Sequence, residues 1–381
     1  MERMILLLLP PFALERWFAR YEFSVRINLC ASCAPATSTA DLLSLGGERA
    51  REDYLRLGLD YLPNQGTDTL RSRIASLYRE LREEDIQVTT GASEAIFLLM
   101  NSLFAAGDKI IVQQPAYQSL YAVARAAGVE VGDWPLGGGE NYSLDLDLLE
   151  DLIDARTRAV VVNNPHNPTG YIMTRREMDR LVEIVERRGL WLISDEVYRG
   201  ITYNPQDELP AAVDLASRAV CIGDMTKPYG LGGLRVGWLA ARDRSLLAAC
   251  AAMRDYTTMC NAAPAEFLAA LALEHRRELL AEKLAVAREN LRQWRAFADR
   301  RPGLFSWSAP RGGFTLFPRY HLPVDSTAFC RGLVEKKSVL LLPGAVFGRE
   351  KHFRLGLGQE PAVFRSGLEM FGDYLEEIRP E

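Results

Sequence analysis

Strand-like apolar runs alternate with helix-like stretches from residue 86 to residue 241, and that rhythm limits the possible folds more than any other feature. IQVTT precedes a helical pattern over 93–106, KIIVQQ one over 117–127 and AVVVNN one over 174–188; LWLIS leads into a turn, and AVCIG into a further run, RVGWLAA. Runs this apolar are buried on both faces, so the pattern predicts an α/β fold: a mostly parallel sheet covered by helices. Ligands of such sheets bind beyond the carboxyl ends of the strands. From about 245 to 300 the chain is charged and helix-prone, and EHRRELLAEKLAVARENLRQWRAFADRR reads as a long helix stopped by Pro302 and Gly303. Beyond it, FSWSAPRGGFTLFPRY, SVLLLPGAVFG and HFRLGLG are short strand-like pieces with one helix between and one after, which suits a small α+β domain. At 381 residues the chain has room for two domains. The expected division is an N-terminal arm and joining segment at 1–45, a large domain at 46–278 and a small domain at 279–381.

Composition removes several classes of function. A formal net charge of −5 offers no basic field for nucleic acid. The apolar run of five residues before Pro10 and Pro11 is shorter than a signal-peptide core and far shorter than a membrane span, so it reads as a docking arm on a soluble, cytoplasmic protein. Six cysteines are too sparse for a disulfide framework. CASC at Cys30 to Cys33 has redox or half-zinc-site spacing, but no second pair completes it, and structural packing is the expectation there. The four histidines are scattered, so no metal site is expected and His166 reads as part of a loop.

The chemistry gathers at the strand ends. GDMTKPYGLGGLRVGW puts Lys227 between an apolar run and a glycine-rich turn, where burial would lower its pKa and make it a nucleophile able to form a Schiff base with an aldehyde. Arg235, eight residues later, offers a planar fork to an anion. VTTGASEAIF runs from strand to helix through Gly91, Ala92 and Ser93, an anion cradle of backbone N–H groups that taken alone reads equally as an N-cap. Tyr117 follows the next strand and could stack on a flat ring, although alone it reads first as a core tyrosine. VVNNPHNPTG presents Asn164 and Asn167 on a proline-bracketed loop, and LISDEVYRG ends a strand on Asp195 and Glu196, with Tyr198 three residues after the aspartate. The plainer reading of that acidic pair is an exposed helix start. One cofactor needs all of these groups: pyridoxal phosphate has an aldehyde for Lys227, a phosphate for Ala92, Ser93 and Arg235, a phenolic oxygen for Asn167 and Tyr198, and a pyridinium for Asp195.

With the spacing Asp195, Tyr198, Lys227, Arg235, the chain resembles a class I/II aminotransferase of the fold-type I pyridoxal-phosphate family from about Tyr61 to its last helix. The resemblance implies an aspartate aminotransferase-like large domain with a smaller α+β domain, and transfer of an amino group between an amino acid and a 2-oxo acid. It makes Lys227, Asp195 and Tyr198 catalytic. Ala92, Ser93, Tyr117, Asn167 and Arg235 join them in holding the cofactor, and Arg354 of HFRLGLG, with Asn167, binds the substrate. It further implies a homodimer with shared active sites, in which Tyr61 of YLPNQGTDTLR reaches the partner's phosphate.

Two stretches depart from the family pattern. Asp224 stands where relatives usually carry serine or threonine, and it is expected to turn away from the phosphate and cap backbone. VRINLCASCAPATSTADLL, PRGGFTLFPRY and LLPGAVFG look more like the capreomycidine synthase branch, which cyclises a hydroxylated arginine, yet no acid in CASCAPATST could pair a guanidinium. A cyclase or eliminase is therefore the alternative enzyme. A non-catalytic aminotransferase-like sensor is the alternative of another class, but there is no room before Tyr61 for its DNA-binding module. A dinucleotide site is a poor fit, because GLGGLRVG follows the lysine instead of opening a helix after the first strand.

Overall fold

The computed structural model describes residues 9–138 and 142–378, so most of the expected docking arm, residues 1–8, lies outside the described residues. Pro10 and Pro11 lead into a helix, α1 (Ala13–Tyr21), and then a two-residue strand, β1 (Ile27–Asn28). Eight strands form the main sheet: β2 (Ile86–Thr89), β3 (Lys109–Gln114), β4 (Glu130–Gly137), β5 (Ser143–Leu144), β6 (Thr157–Asn163), β7 (Trp191–Asp195), β8 (Ala219–Asp224) and β9 (Gly237–Ala241). Their order is β2-β9-β8-β7-β6-β3-β4-β5. The pairs β8–β7, β7–β6, β6–β3 and β3–β4 are parallel, whereas β9 runs antiparallel to both β8 and β2.

Every residue of β2, β6 apart from Arg158, β7, β8 and β9 is buried, as their continuous apolar sequences require. Two apolar clusters flank the sheet, one including Ile110, Val161 and Ile193, the other Ile111, Val160 and Leu192, because alternate residues of each strand face opposite sides. The helices expected over 93–106, 117–127 and 174–188 form at Gly91–Leu103, Ser119–Ala126 and Arg175–Arg188. The last begins on a capping box between Thr174 and Glu177 and ends at Gly189, whose φ of 65° suits a residue without a side chain. The long helix spans Arg276–Asp299. No helix among the described residues is long and apolar enough to cross a membrane.

Past that helix, Thr315–Leu316, Phe353–Gly356 and Leu342–Pro343 form a three-stranded antiparallel sheet, with helix Ser326–Lys337 between its strands in sequence and helix Pro361–Glu377 after them. β1 pairs in parallel with Val339–Leu340, which ties the N-terminal segment to this sheet-and-helix unit. A packed set of rings, Trp294, Phe297, Phe305, Phe353 and Phe371, joins the long helix to it.

Candidate active site

The strand ends of β6, β7 and β8, the start of helix Gly91–Leu103 and the inner face of α1 enclose a cavity of about 220 Å³. Ala92, Ser93, Tyr117, Asn167, Asp195, Tyr198, Lys227, Arg235 and Arg354 all line it. Tyr61 does not: it is 82% exposed, and its N–H donates to Asp60 Oδ1 at 2.9 Å.

Lys227 sits in the short helical turn Thr226–Tyr229 that follows β8, and Nζ donates to Ser32 Oγ at 3.3 Å. Burial pulls its pKa down, but Tyr198, Cys33 and Asp224 together outweigh burial and leave it raised. The lowered value expected from shielding alone is thus corrected: the strand end brings acidic groups together with the amine, and their attraction for the ammonium exceeds its desolvation. Asp195, at the end of β7, has no such surplus. Burial pushes its carboxyl up to about 7, with Asp224 and Glu196 adding to the rise, against the Val197 N–H that donates to Oδ1 at 3.2 Å and the opposing charge of Lys227. Glu196 is not the exposed helix start of the plainer reading. It is buried, pairs with Arg199 at 2.7 Å and accepts from the Ala212 N–H at 2.9 Å, away from the cavity lining.

Asn167 and Arg354 are coupled. Arg354 is 1% exposed; Nη1 donates to Asn167 Oδ1 at 3.1 Å, Nη2 to the Cys30 carbonyl at 2.9 Å, and Nε has no hydrogen-bond partner among the described residues. The Tyr198 hydroxyl, also buried, lies near the Ser32 side chain but has no partner at hydrogen-bond geometry among the described residues. Buried polar atoms of this kind are costly unless a ligand completes them. His166 fixes the loop carrying Asn167: its ring nitrogens bond Thr169 Oγ1 and the Pro115 carbonyl, both at 2.8 Å, and burial pushes its pKa down to about 4.

The anion cradle has a tenant of its own. Asp224 Oδ2 accepts from the Ala92 N–H at 2.8 Å, and Oδ1 accepts from the Thr226 N–H. Asp224 therefore caps backbone as expected, but it does not turn away, since the backbone it caps is the cradle. A Cβ on Gly91 would lie 2.5 Å from Arg235 Nη2, and one on Gly237 would lie 2.5 Å and 2.6 Å from the Gly91 carbonyl carbon and Ala92 nitrogen. Bare backbone at both positions is what lets Arg235 and the helix N-terminus converge. The carboxylate seated there, the unpartnered Tyr198 and Arg354 atoms and the buried Asp195 fit a cofactor with a phosphate, a phenolic oxygen and a basic ring nitrogen.

Ser32 and Asp224, from the two stretches that depart from the family pattern, also line the cavity, as do Asn163, Thr226, Leu14, Glu15 and Phe18, which the sequence did not assign to it. Asn163 has a signal in hindsight, as the last residue of an apolar run; its side chain accepts from the Asn167 N–H at 2.6 Å and donates to the Asp195 carbonyl at 2.9 Å. α1 also carried one: Leu14, Trp17, Phe18 and Tyr21 recur at helical spacing just after a proline pair. All six cysteines are free thiols, and CASC serves the site through the Cys30 carbonyl and the Ser32 hydroxyl.

A family model described as aminotransferase class I and II matches residues 53–369. Capreomycidine synthase of Streptomyces vinaceus is 32% identical over 375 residues, covering 96% of this chain and 94% of that protein. Among solved structures, a pyridoxal-phosphate-dependent aminotransferase from Streptococcus suis superposes with a TM-score of 0.93 at 30% identity, covering 98% of this chain and 99% of its own. The pyridoxal-phosphate-dependent cyclase OrfR superposes with a TM-score of 0.89 at 31% identity, covering 97% of both chains.

Proposed function

The chain belongs to the aminotransferase class I and II family and is a pyridoxal-phosphate-dependent aminotransferase of fold type I, and from that premise we propose how its own residues divide the work. Bound in the cavity, the cofactor supplies an aldehyde that accepts and returns amino groups and a pyridinium that draws electron density from the substrate Cα. Lys227 is the amine that would join the aldehyde. Ala92, Ser93 and Arg235 would hold the phosphate, Asn167 and Tyr198 the ring hydroxyl, and Tyr117 the ring face. Asp195 would stand against the ring nitrogen, where an adjacent positive charge brings its carboxyl back to the ionised form.

Arg354 grips the substrate α-carboxylate. Its contacts to Asn167 and Cys30 fix the plane of the guanidinium, and a bidentate fork then fixes the plane of the carboxylate. With carboxylate and amine both held, the Cα hydrogen is directed to one base. Once the substrate amine has replaced it on the aldehyde carbon, Lys227 Nζ would take that proton and deliver it to that carbon, with Asp224 and the Ser32 hydroxyl steadying the ammonium in between. Leu14 and Phe18 of α1 line the same cavity and would limit the water around the reacting atoms.

The observation carrying this reading is the convergence on one cavity of nine residues spread from position 92 to position 354. The substrates are an amino acid and a 2-oxo acid. We further propose a homodimer with shared sites on the exposure of Tyr61, a reducing cytoplasm on the six free thiols, and a small C-terminal domain starting at about residue 279, to which the N-terminal segment is joined through the pairing of β1. A second reading, cyclisation or elimination on an arginine-derived amino acid, is supported by the near full-length similarity to capreomycidine synthase. One experiment separates the two. Given single amino acids and no oxo acid, the loaded enzyme should convert its cofactor once to pyridoxamine phosphate and stop. Repeated turnover of a hydroxyarginine without an acceptor, with the starting spectrum restored, would overturn the transaminase.

A further inference from the structure

Two carboxylates beside the cavity have no work in that scheme. Glu15 lines it from α1; Phe18 and Glu22 follow at i+3 and i+7, so all three share one face of the helix, which Glu22 extends by one residue. That face is held in place from two sides. The Ala13 N–H donates to Gln118 Oε1 at 2.9 Å and Gln118 Nε2 donates to the Pro11 carbonyl at 3.1 Å, while Trp17 Nε1 donates to the Leu341 carbonyl at 3.0 Å.

Both acids are bonded to neutral groups. Tyr117 Oη donates to Glu15 Oε1 at 3.3 Å, and Asn28 Nδ2 to Glu22 Oε1 at 3.4 Å; among the described residues neither acid forms an ion pair. Burial and repulsion from Glu15 push the Glu22 carboxyl up, while Lys227 and Arg354 pull it down, so these four groups share one field. The cations already have partners: the aldehyde takes Lys227, the phosphate Arg235 and the α-carboxylate Arg354. Once those are matched, the negative charge of Glu15 on the cavity wall, and of Glu22 behind it on the same helix face within the field of Lys227 and Arg354, is left unopposed, an arrangement that disfavours an acidic side chain and favours a positive one. That a ligand enters the cavity which Glu15 lines rests on a separate observation, the buried Arg354 Nε and Tyr198 hydroxyl, which have no hydrogen-bond partner among the described residues.

We propose that Glu15 and Glu22 select an amino acid whose side chain ends in a cation, a guanidinium or an ammonium, seated under α1. The assignment rests on the aminotransferase reading only in taking Arg354 as the α-carboxylate's partner. The decisive comparison is L-arginine against L-citrulline, which matches it in shape without the charge. Apparent affinities are read from the change in cofactor absorbance as each is titrated into holoenzyme.

Arginine should bind at least about tenfold more tightly, as expected for charge pairing in a shielded site. Glu15→Gln and Glu22→Gln should each reduce the preference, their combination should bring the ratio near one, and Glu22→Asp, which keeps the charge, should retain part of it. Equal affinities in the wild type, or a preference that survives the double substitution, would overturn the assignment. That failure differs from failure of the reaction, since a protein that prefers arginine through these residues yet never accumulates pyridoxamine phosphate would keep the side-chain site and lose the transaminase.

Discussion

A carboxylate in the cradle proposed for the phosphate would set two anions in competition for one set of N–H groups. Asp224 holds the Ala92 and Thr226 N–H groups, so a phosphate must displace it or sit beside it against like-charge repulsion. Asp224→Ser should therefore tighten cofactor binding by roughly tenfold, the equivalent of about 1.4 kcal/mol of repulsion removed. Dialysis followed by reconstitution measures it, and an unchanged or weaker affinity would sink the idea. Asp195 gives a pH signature in the same cavity. Its carboxyl is near 7 in the fold against 3.8 in an open chain. The folded cofactor-free protein therefore keeps a proton that the unfolded chain sheds, and the corresponding stability is present below about pH 4 and lost as the pH rises towards about 7, at about 1.4 kcal/mol per unit of separation. Melting temperatures of the cofactor-free protein from pH 4 to 8 should fall more steeply for the wild type than for Asp195→Asn; parallel curves would show that Asp195 is ionised throughout. Both residues were visible in the sequence as acids at strand ends. Their surroundings were not, because the direction of a pKa shift depends on which strand ends lie side by side, and β7 and β8 pair only in three dimensions. The same ignorance of neighbours made Lys227 look depressed when its partners raise it.

At the scale of elements, the buried parallel strands were legible because they are apolar on both faces, whereas β4 and β5 were not recognised. β4, with the sequence EVGDWPLG, is largely exposed apart from Trp134 and Leu136, and with β5 it closes one end of the sheet, so neither a continuous apolar run nor a clean alternation announces it. α1 was obscured differently: the proline pair before it drew the reading towards an arm, and nothing local says that its inner face borders a cavity whose other lining residues, Ser32 apart, are more than 70 positions away. The meeting of β9 with the start of helix Gly91–Leu103 was visible only as two glycines. Their role can be tested at Gly237, where a Cβ would strike backbone instead of a flexible side-chain tip. Gly237→Ala should shift the cradle, weaken cofactor affinity by at least roughly tenfold and cost about 1–3 kcal/mol of stability, as overpacking does. Denaturant unfolding and cofactor titration read the two effects. A variant with wild-type affinity would mean that the cradle tolerates the shift.

For the whole molecule the question is what covers Tyr61. It stands 82% exposed near Leu55 and Leu59, which are 73% and 84% exposed, and it is absent from the lining of its own cavity. Three large side chains left in water along one short segment suit an interface. A twofold dimer would let this segment of each copy reach the other's site, because an isologous contact repeats every interaction. The sequence carried this only through resemblance, since exposure belongs to a folded surface and no local pattern distinguishes a tyrosine that faces a partner from one that faces water. If Tyr61 completes the partner's phosphate site, Lys227→Ala and Tyr61→Ala chains should each be impaired alone but should complement when co-expressed. A mixed dimer then has one site with both residues intact. Random assortment would restore roughly a quarter of wild-type activity, the share of sites in which both residues survive. Sedimentation should give a dimer for every variant. A monomer, or mixed dimers no more active than their parents, would place Tyr61 outside the reaction and leave each cavity complete within its own chain.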